Sequence, residues 1–85
     1  MTRIDGEHVL QYLQQARDKL DSGKGEVVLD FSSVRRIDPG ALRALEELAG
    51  VAESKAVSVA LRGVNVGVYK VLKLMKLAPR FSFPT

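Results

Sequence analysis

The strongest constraint in this sequence is an alternation of apolar period. Val9, Leu13, Ala16 and Leu20 recur at helical spacing, and the short branched run EVVLDF (Glu26–Phe31) follows them. A second helical pattern, Leu42, Leu45, Leu48, Ala49 and Ala52, leads to AVSVAL (Ala56–Leu61). A third, Val68, Val71, Leu72 and Met75, leads to RFSF (Arg80–Phe83). Strands connected through helices run parallel, with right-handed crossovers, and bury one sheet face under the helices. The predicted fold is therefore a small α/β domain.

Boundary residues refine the pattern. The first helix is expected over Gly6–Asp21 with Asp5 as N-cap, and the glycines of Ser22–Gly25 mark a loop after it. The second helix is predicted to begin at Pro39, since proline at the first helical position gives up no needed hydrogen bond and arrives with φ already set. Asp38 is then its cap, Arg43, Glu46, Glu47 and Glu53 its wet face, and Ser54 its approximate end, with Gly50 weakening the last turns. In the second strand Val57, Val59 and Leu61 share one face and Ala56, Ser58 and Ala60 the other. Asn65 is expected to cap the third helix, which turns Lys70, Lys73 and Lys76 to water and stops at Pro79. RFSF reads as a short last strand with both phenylalanines on one face. With no repeat, linker or low-complexity tract, residues 1–85 are expected to form one domain.

Composition narrows the chemistry. At 85 residues, one core supplies only a few kcal/mol of stability. Cysteine is absent and His8 is the single histidine, which argues against disulfides, thiolate metal sites and a histidine cluster; no metal or cofactor is expected. The N-terminal residues lack the apolar run of a signal peptide, and no segment has the roughly 20 apolar residues that cross a bilayer, so the expected location is the cytoplasm, without stable membrane insertion. The formal charge of +3 is mild but uneven: Arg62, Lys70, Lys73, Lys76 and Arg80 lie in the last third, where no acid follows Glu53. Such a cluster suits phosphate or anionic headgroups, but lysines at helical spacing are more often the solvated face of an amphipathic helix, and no nucleic-acid partner is expected.

Catalytic patterns are sparse. DSGKGE lacks the spacing of a phosphate loop, and His8, beside Glu7, has no serine or carboxylate arranged around it by sequence. Asp30, at a strand end, and Asp38, at a helix start, can be read as paired carboxylates of a small enzyme or ligand-binding domain. Their bland reading is loop bracing and capping, and it is favoured.

The stretch VVLDFSSVRRIDPGALRAL, followed by VSVALRGVNVGVYKVLKLMKLAPRFSF, resembles the STAS family, the sulfate-transporter and anti-sigma-factor-antagonist domain, over roughly Asp5–Phe83. The resemblance implies a mixed or parallel sheet flanked by three to four helices, and a non-catalytic module that binds other proteins. In the anti-sigma antagonist branch a partner kinase phosphorylates the serine after the aspartate in an Asp-Ser-Ser/Thr-Gly-Leu motif. Here Asp38 keeps the aspartate, Pro39 takes the phosphoserine position, Gly40 the next hydroxyl position, Ala41 the glycine and Leu42 the leucine. The hydroxyl that would carry phosphate is gone, so the resemblance implies docking without that switch.

The partner surface is accordingly expected at Arg35, Arg36, Asp38, Pro39, Gly40, Ala41 and Arg43. The implied partner of a bacterial anti-sigma antagonist-like regulator is an anti-sigma factor-like kinase. The alternative is a transporter subunit, with the chain as the STAS accessory of a lipid-transport ABC system. Family members open with two antiparallel strands, whereas only Met1–Ile4 precede the first helical pattern. The N-terminal strands are thus expected to be shortened, leaving a free sheet edge for a partner strand or a homodimer.

Overall fold

The computed structural model of the chain describes residues 2–4, 6–20 and 25–84. Its elements are β1 (Thr2–Arg3), α1 (Val9–Leu20), β2 (Glu26–Asp30), α2 (Pro39–Ser54), β3 (Ser58–Arg62), α3 (Val66–Leu74) and a 3₁₀ turn over Ala78–Arg80. The sheet is parallel in the order β1-β2-β3, as connections through helices require. Thr2 pairs with Leu29, and Glu26 to Asp30 pair with Ser58 to Arg62. Each ladder runs one bond further, from Ile4 N–H to the Asp30 carbonyl (2.8 Å) and from Phe31 N–H to that of Arg62 (2.7 Å).

The register decides which residues meet. Val27 lies opposite Val59 and Leu29 opposite Leu61, so one sheet face is aliphatic. Leu13, Ala16 and Leu20 of α1 join Leu45, Leu48, Ala49 and Ala52 of α2 in the same core, with Phe31, Val68 and Leu72. A fully buried Leu or Phe contributes about 1.5–3 kcal/mol relative to exposure. Among the described residues no polar side chain is buried. Arg17 Nη1 and Glu47 Oε2, 3.2 Å apart and both half exposed, link α1 to α2. An exposed pair of this kind adds at most about 1 kcal/mol, so packing holds the two helices.

Several boundaries differ from expectation. α1 opens three residues late: its first helical bond runs from Tyr12 N–H to the His8 carbonyl (3.1 Å), and Gly6–His8 form a turn. Asp5, Asp21 and Ser22–Lys24 lie outside the described residues. α2 occupies the predicted span and passes through the exposed Gly50. Both α2 and α3 end in a left-handed residue that is not glycine, Ala56 (φ 57°) and Lys76 (φ 61°). In each, the next N–H reaches back five residues, Val57 to Ala52 (2.9 Å) and Leu77 to Leu72 (2.8 Å), the Schellman closure. Ala56 therefore belongs to a helix end, not to the strand. Met75, expected in the core, caps α3 and is 55% exposed. Pro79 lies inside the 3₁₀ turn and does not itself stop α3.

The last strand is reduced to one parallel bridge, Ser82 with Ala60. Ser82 N–H donates to Val59 O (2.9 Å) and Ser82 O accepts from Leu61 N–H (2.8 Å). The next ladder donor, two residues on, would be Pro84, which has no N–H, and Arg80 N–H is engaged in the 3₁₀ turn. Arg80 also forks onto Glu53 through Nε (3.1 Å) and Nη2 (2.8 Å), joining the end of α2 to this turn. Those hydrogen bonds hold the Glu53 carboxyl below its ordinary range and raise Arg80, partial desolvation opposing each shift.

Candidate docking site

The connections that follow parallel strands leave the sheet at its carboxyl edge, where α/β folds bring their functional loops together. The β2–α2 connection, residues 31–38, is pinned at this edge by Phe31 and Val34, both buried, and by Val34 N–H on the Phe31 carbonyl (2.9 Å). Asp30 Oδ1 accepts the N–H of Ser32 (2.9 Å). Arg35 and Arg36 follow with exposed side chains, and Ile37 is half-buried.

Asp38 then performs the predicted cap. Its Oδ1 accepts from Ala41 N–H at 2.7 Å, and its carbonyl accepts the first helical bond, from Leu42 N–H, at 3.0 Å. Pro39 sits at the first helical position. Pro39, Gly40 and Arg43 are exposed, so the start of α2 presents a surface of one rigid ring, a bare backbone and one guanidinium. Ala41 requires a correction: it is 2% exposed, its methyl lies in the core, and only its N–H takes part, in the cap. The helical period explains this, because position 41 shares a face with the buried Leu45 and Leu48.

Two shallow grooves flank the loop. One, of about 720 Å³, runs between Gly6, Glu7, Ser33, Arg35 and Arg36. The other, of about 460 Å³, lies between the first turns of α1, with Leu10 and Gln14, and Arg36 and Asp38. Asp30 does not line the groove that Asp38 lines. Each aspartate instead accepts a backbone N–H of its own connection, which is the bracing role.

Two residues that fix this loop were not singled out for it by sequence reasoning. Asn65, predicted as a cap, does accept from Val68 N–H (2.8 Å), but its Nδ2 also donates to the carbonyls of Val34 and Arg35, both at 3.2 Å. Gly6 abuts the Ser33 carbonyl so closely that a Cβ there would overlap it. Neither contact leaves a local signal, because the partners are some 30 residues away in sequence; only the glycine itself, a poor helix former at the expected helix start, hints at a close approach.

Residues 2–79 match the family described as Mlab, STAS domain. Over 54 residues, 64% of the chain, the sequence is 41% identical to the intermembrane phospholipid transport system binding protein MlaB of Escherichia coli (strain K12), and equally to that of Shigella flexneri. The match spans 56% of the length of these curated relatives. The fold matches a crystal structure of the Thermotoga maritima protein TM1081, assigned there as a candidate anti-sigma factor antagonist, with TM-score 0.76 and 24% identity over 99% of this chain and 72% of that one. An NMR structure of TM1081 gives 0.73 and 23%, covering 95% and 66%. At that identity the likeness is one of fold, and it agrees with the predicted α/β architecture, three helices on a parallel sheet. With its family match extending over nearly all of its length, the chain belongs to the STAS-domain family.

Proposed function

We propose that this chain, as a single STAS-type unit, is a non-catalytic subunit of a phospholipid-transport system of the MlaB kind, docking on another protein of that system through the start of α2. The observation that carries this reading is the 41% identity to MlaB. The start of α2 supports it. Asp38 and Pro39 fix the first turn, Gly40 lets a partner approach the backbone, and Arg43 with Arg35 and Arg36 adds three guanidiniums suited to carboxylates across an interface. No hydroxyl occurs at positions 38–41, so phosphorylation cannot add its charge of about −2 at the first turn of α2 itself. Docking is then constitutive, and control lies with the partner or with expression. No helix among the described residues is long and apolar enough to cross a membrane, in keeping with a subunit held at the cytoplasmic side by its partner.

The regulator reading, an anti-sigma antagonist-like module docked on a kinase, is compatible with the family match and the fold likeness and is an outcome of the same test. Wild type and Arg43→Glu are co-expressed with the ABC subunits of the host's phospholipid transporter and with any anti-sigma kinase it encodes. Capture of the transporter subunit by the wild type, weakened about tenfold or more in the variant while its circular dichroism is unchanged, is the expected result. Capture of the kinase alone would replace the reading with the regulator, and capture insensitive to Arg43 would move the docking surface elsewhere.

A further inference from the structure

α3 presents to solvent a face that neither the fold nor the proposed docking surface uses. Val66 is 70% exposed and Leu74 81%, two large apolar side chains left uncovered on one helix face. Val66, Lys70, Lys73 and Leu74 are spaced four, seven and eight residues from the first, so they share one stripe, opposite the buried Val68 and Leu72. Tyr69, beside this stripe, meets Phe83 edge-on with ring centroids 5.1 Å apart. Arg62, Lys70, Lys73 and Lys76 have no ion-pair partner among the described residues, and the chain carries no acid after Glu53. The stripe therefore combines protruding aliphatic tips, an amphipathic aromatic and uncompensated cations.

We propose that this face of α3 binds an anionic lipid surface, lying in the plane of the headgroups without crossing them. Three observations select that occupant. The cations are unopposed and need anions. The aliphatic tips stand out from a convex helix, which a deformable lipid surface accommodates, whereas a peptide would need a walled groove. Lysines that alternate with aliphatics can lay their stems along acyl chains and keep their ammonium groups at the phosphates, with Tyr69 at headgroup level. The sequence alone favours a merely solvated lysine face; the exposure of Val66 and Leu74 between the lysines shifts that balance, because a solvated face has no use for them. This inference stands apart from docking through α2, and either can fail without the other.

The test is co-sedimentation of the full chain with vesicles of equal parts phosphatidylglycerol and phosphatidylcholine, against phosphatidylcholine alone. Binding to the anionic vesicles only, reduced by salt, is expected. Each lysine lost in Lys70→Gln, Lys73→Gln and Lys76→Gln is expected to weaken it roughly fivefold, about a hundredfold for the triple variant. Val66→Ser with Leu74→Ser is expected to weaken it as well, while circular dichroism and partner capture through α2 stay unchanged, since both side chains lie outside the core. Absence of binding to anionic vesicles by the wild type overturns the proposal. So does binding indifferent to these substitutions, or loss of a protein partner in the triple variant without any vesicle binding, which would make the face a protein contact.

Discussion

Asp38 and Pro39 illustrate how one turn can be fixed by two neighbouring side chains with separate tasks. The carboxylate satisfies Ala41 N–H, so Asp38→Ala is expected to lower stability by about 1 kcal/mol in chemical denaturation. Pro39 donates no hydrogen bond and touches solvent, so Pro39→Ser should stay within about 0.5 kcal/mol of wild type, being a surface change at a position where serine is also at home. A larger loss in Pro39→Ser would mean that the ring, not the aspartate, holds the turn. Asn65 divides its work within one side chain: its oxygen caps α3 and its nitrogen holds two carbonyls of the β2–α2 connection. Asn65→Asp keeps the cap but turns an oxygen towards those carbonyls. It should leave denaturation near wild type while amide exchange at Val34–Arg36 accelerates, whereas Asn65→Ala should cost about 1 kcal/mol in addition. Unchanged exchange in Asn65→Asp would remove Asn65 from the support of the loop.

At the scale of elements, both α2 and α3 end against a conformational preference. The left-handed backbone of Ala56 costs a residue with a Cβ about 1–2 kcal/mol. Glycine relieves that cost but loses roughly 0.5–1 kcal/mol to its freer unfolded chain. Ala56→Gly is thus expected to raise stability by about 0.5–1 kcal/mol, and a loss on denaturation would show that the methyl does some unrecognised packing. The same end of α2 is also tied down by charge. Arg80 lowers the Glu53 pKa in the folded state, so this contribution is present above the unfolded-state pKa of Glu53 and is lost as pH falls through the lowered folded value. The raised pKa of Arg80 matters only at strongly alkaline pH, where it acts in the opposite sense. In Arg80→Gln, the NMR titration of Glu53 should move up toward the ordinary carboxylate range, and the stability gap to wild type should close on acidification. A gap independent of pH would assign the effect to the packing of the arginine stem.

For the molecule as a whole, the parallel topology is what assembles the proposed docking surface. It brings the β1–α1, β2–α2 and β3–α3 connections to one edge, where Gly6 supports the middle loop at Ser33 and Asn65 supports it at Val34 and Arg35. Gly63 completes the contact: with φ 74°, a Cβ there would stand 3.0 Å from that of Ser32. Gly6→Ala is expected to cost about 1–3 kcal/mol and to displace the loop, because the Ser33 backbone has to yield to the added methyl. Weaker partner capture with α2 itself intact by circular dichroism would be the accompanying sign. A fully stable Gly6→Ala with normal capture would mean that the N-terminal turn does not support the loop.

Local periodicity by itself determined the three helices, the two main strands and the parallel class, since 3.6- and 2-residue repeats are properties of neighbouring residues. The cap at Asp38 and the span of α2 were equally legible, because a cap is settled within one turn. Tertiary structure decided the rest. Ala41 faces the core, not a partner, because α1 lies alongside α2; Met75 leaves the core because Lys76 turns left-handed to send the chain back toward Leu72. RFSF gives one bridge in place of a strand, since its neighbours are a 3₁₀ turn and a proline. The support of the β2–α2 connection by Gly6 and Asn65 joins residues about 30 apart, a distance over which sequence carries no period to read.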